Sequence, residues 1–292
     1  MMPTRYMATT GMFDGVHRGH IFALRQLESE AERRGLKPAV FTFSAHPLSL
    51  IAPEKAPRLL STPSERAALI RAVLPAADVV VLDLAPELLA LTAREFLDML
   101  HRDYGVDAFA MGFNNHIGSD RATAADLADA PIPVLPLAEA PADTQLCSTA
   151  ARNAIAHGSI DEANRILGRR WCFRGRVVHG KQLGRKLGFP TANIEPVDSS
   201  VIVPPAGVYA VDVTLPSGAV ERGMANIGVR PTVDAEGAPV SFEVHILNFY
   251  GNLYGEIIEV EFLCLLRREK HFRSLDELAA QLALDAQLAK NV

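Results

Sequence analysis

The spacing of apolar residues changes character part-way along the chain. Up to about residue 168, short apolar runs alternate with stretches whose apolar positions recur every three or four residues. Tyr6–Thr10 reads as a strand. Ile21, Leu24, Leu27 and Ala31 share one face of a helix expected from about His20 to Arg34, with Gly35 as its stop. Pro38–Phe43 is an apolar strand that completes a βαβ unit. Ser64-Glu65-Arg66 opens another helix, and Val79–Leu82 follows as a strand. A helix around Ala93–Arg102 then precedes the strand Ala108–Met111. Buried strands separated by amphipathic helices imply a parallel sheet with helices on both faces.

After Gly168 the period drops toward two. Phe173–Val178, Val208–Leu215, Val220–Asn226, Phe242–Phe249 and Ile257–Leu265 alternate, separated by turns such as Pro216-Ser217-Gly218 and Gly251-Asn252. This predicts an antiparallel barrel or sandwich. Ser274 and Glu277 have capping-box spacing before a closing helix with Leu278 and Leu282. Two short helices, about Thr149–His157 and Asp161–Leu167, bridge the halves, and Ser159 with Glu162 repeats the capping-box spacing. The expected domains are 1–168 and 169–292. The alternative is that the two bridging helices brace the barrel, which would move the boundary earlier.

Composition narrows the function classes. The chain has 292 residues, nearly half of them apolar, enough for two domains of roughly 100–200 residues each. A net charge of −5 disfavours a general nucleic-acid binder. Cys147, Cys172 and Cys264 are scattered, as ordinary thiols in a reducing compartment are. No signal-peptide core or membrane-spanning run is present, so a cytoplasmic protein with no membrane partner is expected. No feature sets an oligomeric state. One local imbalance stands out: Arg169–Lys186 holds seven Lys/Arg and no Asp or Glu. That reads either as a solvated strand face or as an anion site.

Two strings carry candidate chemistry. In the first, Gly11-Met12-Phe13-Asp14-Gly15-Val16-His17-Arg18-Gly19-His20 joins a strand to a helix. Gly11, Gly15 and Gly19 permit tight or left-handed backbone and close approach to a ligand. The helix start offers free N–H groups and its positive dipole end. His17 and His20, about one helical turn apart, can donate to the same phosphate. Nucleotidyl transfer suits this arrangement, because an attacking phosphate is already anionic and catalysis is positioning plus charge stabilisation. Surface histidines on a turn are the plain alternative. Near residue 148, Ser148 or Thr149 would cap a helix that projects Arg152 from its first turn. This is either a plain N-cap or a second anion site.

In the second string, Gly175–Asn193, a strand ends at Gly180. Gly184, Arg185, Lys186 and Gly188 make a basic loop able to wrap polyphosphate. Thr191 and Asn193, two residues apart in an extended segment, point to one side as oxygen ligands for Mg²⁺ on a nucleotide would. Turn chemistry beside Pro190 is the alternative. Glu243 and His245 share one strand face, and either could take a proton from an alcohol.

These residues resemble the bifunctional riboflavin kinase/FMN adenylyltransferase family, the bacterial FAD synthetases, over nearly the whole chain. The resemblance lies in Gly11–His20, Thr42–Pro47, Arg58-Leu59-Leu60 with Glu65, and Ser148-Thr149-x-x-Arg152. It continues in Gly175–Asn193, Gly207-Val208-Tyr209, Ala225–Thr232, Glu243-Val244-His245, Leu253-Tyr254-Gly255 and Arg267–Asp285. It implies a Rossmann-like α/β nucleotidyltransferase domain that adenylylates FMN, then a six-stranded β-barrel with a C-terminal helix that phosphorylates riboflavin. ATP, riboflavin, FMN and FAD would be substrates and products, with Mg²⁺.

The resemblance also assigns residues. His17 and His20 would contact the adenylyl-donating ATP, in a loop with Gly11, Phe13, Asp14 and Gly19. Ser148, Thr149 and Arg152 would hold its phosphates. Thr191 and Asn193 would handle Mg²⁺ and phosphates in the barrel, beside Gly175, Gly180, Gly184, Arg185, Lys186 and Gly188. Glu243 would be the general base, with Asn226, Tyr254 and Arg267 near the flavin or nucleotide. Some positions depart from the family pattern. Asn114 stands at an acidic position, Ile117 at an aromatic one and Thr123 at a glycine, while Arg121 is kept. Cys147 replaces a small hydroxyl residue. These departures leave two alternatives, a kinase with a weak or lost adenylyltransferase and a flavin-binding regulator without turnover.

Overall fold

A computed structural model of the chain describes residues 4–112, 115–141, 146–180, 184, 187–229 and 240–292. The chain divides into two compact units, 1–148 and 149–292.

The first unit is built on five parallel strands: β1 (Tyr6–Thr10), β2 (Lys37–Phe43), β3 (Asp78–Leu82), β4 (Val106–Met111) and β5 (Val134–Pro136). Their order is β3-β2-β1-β4-β5. Helix α1 (Arg18–Arg34) follows β1 and ends at Gly35, whose φ of 65° is the left-handed stop that the sequence predicted. A single turn, α2 (Leu48–Ile51), leads to α3 (Pro63–Val73). Thr62, rather than Ser64, caps α3, in a reciprocal capping box with Glu65. Next come the short α4 (Pro86–Ala90) and α5 (Ala93–Tyr104), the latter capped by Thr92 with Glu95.

Helices cover both faces of this sheet. Leu24, Leu27 and Ala31 of α1 and Ile70 of α3 pack on one face with Met7 and Val40. Phe96, Leu97 and Leu100 of α5 pack on the other with Phe41 and Phe109. Each large side chain fully buried in this way contributes about 1.5–3 kcal/mol. The strand order reverses direction at β1, so the crevice beyond Thr10 is the topological switch point where ligands of such sheets bind.

The second unit opens with α6, which runs from Ser148 at the unit boundary to Ala156, and α7 (Ile160–Leu167). The division thus falls about twenty residues before the expected one at 168/169. The reason is packing. Ile160, Ala163, Ile166 and Leu167 are buried. Asn164 Nδ2 donates to the Phe262 carbonyl, and Asn164 Oδ1 accepts from Trp171 N–H. Ser159 makes no side-chain cap, and Glu162 pairs with Arg165 instead. The predicted capping box is therefore absent there.

Six strands close the barrel: β6 (Trp171–Val178), β7 (Ala192–Pro196), β8 (Gly207–Thr214), β9 (Val220–Val229), β10 (Val240–Ile246) and β11 (Ile257–Arg268). They pair antiparallel in the order β10-β7-β6-β11-β8-β9. Trp171, Phe173, Tyr209, Phe242 and Phe262 fill it, with ring centroids 5.0–6.3 Å apart. β10 stops at Ile246 rather than Phe249, because Asn248 takes a φ of 57° and turns the chain away.

Helix α8 (Leu275–Lys290) is capped by Ser274, which accepts from Glu277 N–H. Glu277 in turn accepts from Arg273 N–H, so only half of the expected box forms. Arg267 binds the fully buried Asp285 of α8 through Nε at 3.0 Å and Nη2 at 2.7 Å. Among the described residues no helix is long and apolar enough to cross a membrane.

Candidate functional site

Each unit carries its own site. In the first, the turn leaving β1 is strained, but not where the sequence placed the freedom. Gly15 has a φ of 73°, as expected of a glycine. Phe13 (47°) and Val16 (40°) are also left-handed, whereas Gly11 and Gly19 are not. Such positions cost on the order of 1–3 kcal/mol each, and most for a β-branched valine. Burial of both side chains, Phe13 5% and Val16 2% exposed, fixes them. The glycines matter for close approach instead. A Cβ on Gly19 would lie 3.0 Å from the Leu146 carbonyl, and one on Gly11 would lie 3.2 Å from the Phe13 ring.

His17 caps α1, its Nδ1 accepting from His20 N–H at 3.3 Å. That bond places the His17 ring proton on Nε2. The His17 and His20 rings stack at 3.6 Å, and Phe13 meets His20 edge-on at 5.0 Å. Burial first, then His17 and the Arg66 guanidinium, hold His20 well below the ordinary imidazole value. The His20 ring is therefore neutral near pH 7.

Asp14 differs from its predicted role. Its carboxylate is 2% exposed and accepts from the N–H groups of Leu60 and Ser61. It ties the turn to the 60–61 segment and lines neither cavity beside the turn. Ser61 Oγ accepts from Gly15 N–H, and Ser148 Oγ donates to the Asp14 carbonyl. Ser148 is thereby a brace of the turn.

Two cavities meet at this turn. A cleft of about 740 Å³ is lined by Thr10–Phe13, His17, Gly19, His20 and the 137–141 segment. An apolar cavity of about 320 Å³ is lined by Phe43, Pro47, Leu84, Leu88, Leu91 and Phe96. Thr10, Gly11, Met12 and Asn115 line both. The leucines of the apolar wall were not read from the sequence, because Leu84, Leu88 and Leu91 carry no local motif. Arg121 stands exposed on a turn with a φ of 54° and lines neither cavity. Asn114 lies outside the described residues.

In the second unit, Arg152 Nη2 donates to Thr149 Oγ1 at 3.3 Å on the first turn of α6. The barrel brings the Gly175–Asn193 string to Glu243. Asn193 on β7 and Asn226 on β9 are the direct cross-strand partners of Glu243 on β10, so all three share a face. Thr191 Oγ1 donates to Glu243 Oε2 at 2.9 Å. Gly180 is required here, since a Cβ would lie 2.1 Å from Asn193 Nδ2. Gly184 accepts backbone N–H bonds from Leu187 and Phe189, and Gly188 takes a φ of 83°. Gly175 has a packing reason, because the space of its missing Cβ holds Ile194 Cγ2. Arg185 and Lys186 lie outside the described residues.

His245 Nδ1 donates to the Pro190 carbonyl at 2.7 Å, leaving Nε2 as an acceptor. Burial holds His245 below the usual imidazole value. One cavity of about 250 Å³ is lined by Thr191, Asn226, Glu243, His245, Arg267 and Leu282. A second, of about 420 Å³, is lined by Val177, Thr191, Phe249, Tyr250, Leu253 and Tyr254. Thr191 belongs to both. Tyr254 stacks on His179 at 3.9 Å. Phe249 and Tyr250 went unread because their turn looked like a strand end. Among the described residues no group of three His, Cys, Asp or Glu could hold a metal ion. The oxygens at Thr191, Asn193 and Glu243 nevertheless suit Mg²⁺ carried by a nucleotide, which needs only one or two protein ligands.

A family model described as riboflavin kinase matches residues 167–292, and one described as FAD synthetase matches residues 2–131. A bifunctional riboflavin kinase/FMN adenylyltransferase of Pseudomonas fluorescens is 38% identical, covering 97% of this chain and 92% of that protein. The protein of that name from Escherichia coli K12 is 37% identical over 97% and 91%, and that from Bacillus subtilis 33% over 96% and 90%. A crystal structure from Streptococcus pneumoniae, described as a macrolide-efflux protein, superposes with a TM-score of 0.87 at 32% identity. It covers 100% of this chain and 96% of that one.

Proposed function

The chain belongs to the bifunctional riboflavin kinase/FMN adenylyltransferase family, and we propose how its two reactions are divided among the residues above. The protein phosphorylates riboflavin with ATP to give FMN and adenylylates FMN with ATP to give FAD and pyrophosphate. The kinase reaction belongs to the barrel. MgATP occupies the aromatic cavity of Phe249 and Tyr254, and riboflavin the cavity that contains Glu243. The observation that carries this reading is Thr191, which lines both cavities and donates to Glu243.

Glu243 accepts the proton of the terminal ribityl hydroxyl as its oxygen attacks the γ-phosphorus, and ADP leaves. Thr191 and Asn193 would hold Mg²⁺, which supplies charge neutralisation on the phosphates. Arg267, fixed by Asp285, borders the flavin cavity as a cation whose geometry is already set. ATP as the second substrate of both reactions supports a cytoplasmic setting.

In the first unit, ATP lies in the larger cleft over the N-terminus of α1, and the flavin ring system in the apolar cavity. The two substrates meet at Thr10–Met12. A phosphate oxygen of FMN attacks the α-phosphorus of ATP. His17 and His20 donate to the charge that develops there, and pyrophosphate departs. No base is required, since the nucleophile is an anion.

Incubation with riboflavin and MgATP, then with FMN and MgATP, and chromatography of FMN and FAD tests both halves. FMN in the first and FAD in the second are expected. FMN without FAD from either mixture would refute the adenylyltransferase assignment.

A further inference from the structure

We propose that Arg66 is a positioning residue of adenylyl transfer, its buried guanidinium clamping the strained turn that forms the wall between the two cavities of the first unit. The inference rests on the reading of those cavities as the ATP and FMN sites.

Arg66 closes the first turn of α3 and is 0% exposed. Its Nη1 sits 2.8 Å from the Met12 carbonyl, 3.0 Å from Thr42 Oγ1 and 3.1 Å from the Phe43 carbonyl. Thr42 Oγ1 itself donates to the Met12 carbonyl at 3.1 Å. One nitrogen thus fastens the turn to the end of β2. Met12 lines both cavities and Phe43 lines the apolar one, so the fastened residues are wall residues.

The left-handed Phe13 follows directly, with Gly15 and Val16 beyond it. A strained turn persists only where its surroundings over-determine it. Arg66 supplies the constraint before Phe13, and the Asp14 carboxylate with Ser61 supplies the constraint after it.

Stability alone does not account for this arginine. Its Nε and Nη2 are buried without hydrogen-bond partners among the described residues. A buried guanidinium left partly unsatisfied is costly, and an apolar chain of similar volume often replaces such a group without loss. Arg66 also has an electrostatic consequence. Its charge is one of the causes that hold the His20 ring neutral, with His17 on the same turn. Asp14 faces the guanidinium from the turn.

The test uses the full chain with Arg66→Met, Arg66→Lys and Thr42→Val. Initial rates of FAD formation give kcat and KM, riboflavin phosphorylation in the same preparation is the internal control, and NMR follows the His20 ring. Arg66→Met is expected to lower kcat for adenylyl transfer about 10–100-fold, the usual penalty for small misplacement of a catalytic wall, with KM changing by less than about threefold. Arg66→Lys should recover much of that loss. The His20 titration should move up in Arg66→Met and stay in place in Arg66→Lys. Thr42→Val, nearly isosteric, should lose several-fold in kcat. Kinase turnover should be unchanged throughout.

Parent-like kcat in Arg66→Met, or a loss confined to KM, overturns the proposal. Rates that track only the folded fraction overturn it as well. If Arg66→Met does not fold, parent-like turnover in Thr42→Val overturns it instead. A parent chain that makes no FAD from FMN, or a His17→Ala/His20→Ala variant that still makes it, refutes the underlying site reading.

Discussion

Replacing Glu243 with Gln separates chemistry from structure in the barrel. The two side chains have the same shape, and Gln Oε1 still accepts from Thr191 Oγ1, now 2.9 Å from the Glu243 carboxylate. Exchanging a charged for a neutral acceptor at this partly buried bond costs on the order of 1 kcal/mol. Loss of a positioned general base costs roughly 10²–10⁴ in rate, which is about 2.7–5.4 kcal/mol of barrier. The catalytic effect therefore exceeds the structural one by about 1.7–4.4 kcal/mol. The assay is FMN formation from riboflavin and saturating MgATP, resolved by chromatography. FAD formation from supplied FMN serves as the control for a folded chain. Expected is a kinase kcat down by at least about 10² with the control intact. A kcat within about threefold of the parent would show that another group takes the proton. His245, whose Nε2 is an open acceptor on the same face, would then be the candidate.

The remaining predictions address the first unit, pH and the boundary. The double variant His17→Ala/His20→Ala should lose orders of magnitude in FAD formation while riboflavin phosphorylation survives; parent-like FAD formation would refute the histidine roles. Because the folded His20 titrates below its unfolded value, the unfolded chain takes up the proton first. Its contribution to stability is therefore complete above about pH 6.5 and is lost as pH falls from there toward the folded value. Thermal melts should show a midpoint that drops across this window, and less so in His20→Gln; an equal drop in the variant contradicts the reasoning. A fragment 149–292 should melt cooperatively and make FMN but no FAD. A fragment 169–292 should melt lower or not fold, since it lacks Ile160, Ile166 and Leu167, each worth about 1.5–3 kcal/mol when buried. Equal melting of the two fragments would show that α7 is not part of the barrel fold.

The legibility of this chain follows the range of the interactions involved. α1 was readable because its apolar spacing and its glycine stop are local. β7 was read only as an extended ligand-bearing segment, because Ala192–Pro196 is short and follows closely on Gly188 and Pro190. Its pairing with β6 and β10 closes the barrel, and that is a tertiary fact. Thr191, Asn193 and Glu243 were each identifiable, but their convergence depends on the cross-strand register. Asp14 illustrates the opposite limit. A carboxylate in a glycine-rich turn looks like a ligand-facing group, and only the fold shows its oxygens already taken by Leu60 and Ser61. The two short helices before the barrel show a related limit: helical periodicity in α7 resembles the first half, while its buried face belongs to the barrel unit.

Phe13 and Val16 set a limit on how this chain can be made heat-resistant. Substitution by glycine at either left-handed position would relieve on the order of 1–3 kcal/mol of backbone strain. It would also remove a buried side chain that packs against α1, a loss of about 3–5 kcal/mol for a phenylalanine, and would free the loop that carries His17. Resistance to heat and speed of adenylyl transfer thus depend on the same two side chains, and the strain is the cost of keeping them in place. No such coupling arises at Gly35, Gly105 or Gly168, where left-handed backbone merely ends a helix. Attempts to harden the enzyme belong at helix ends and loops away from β1.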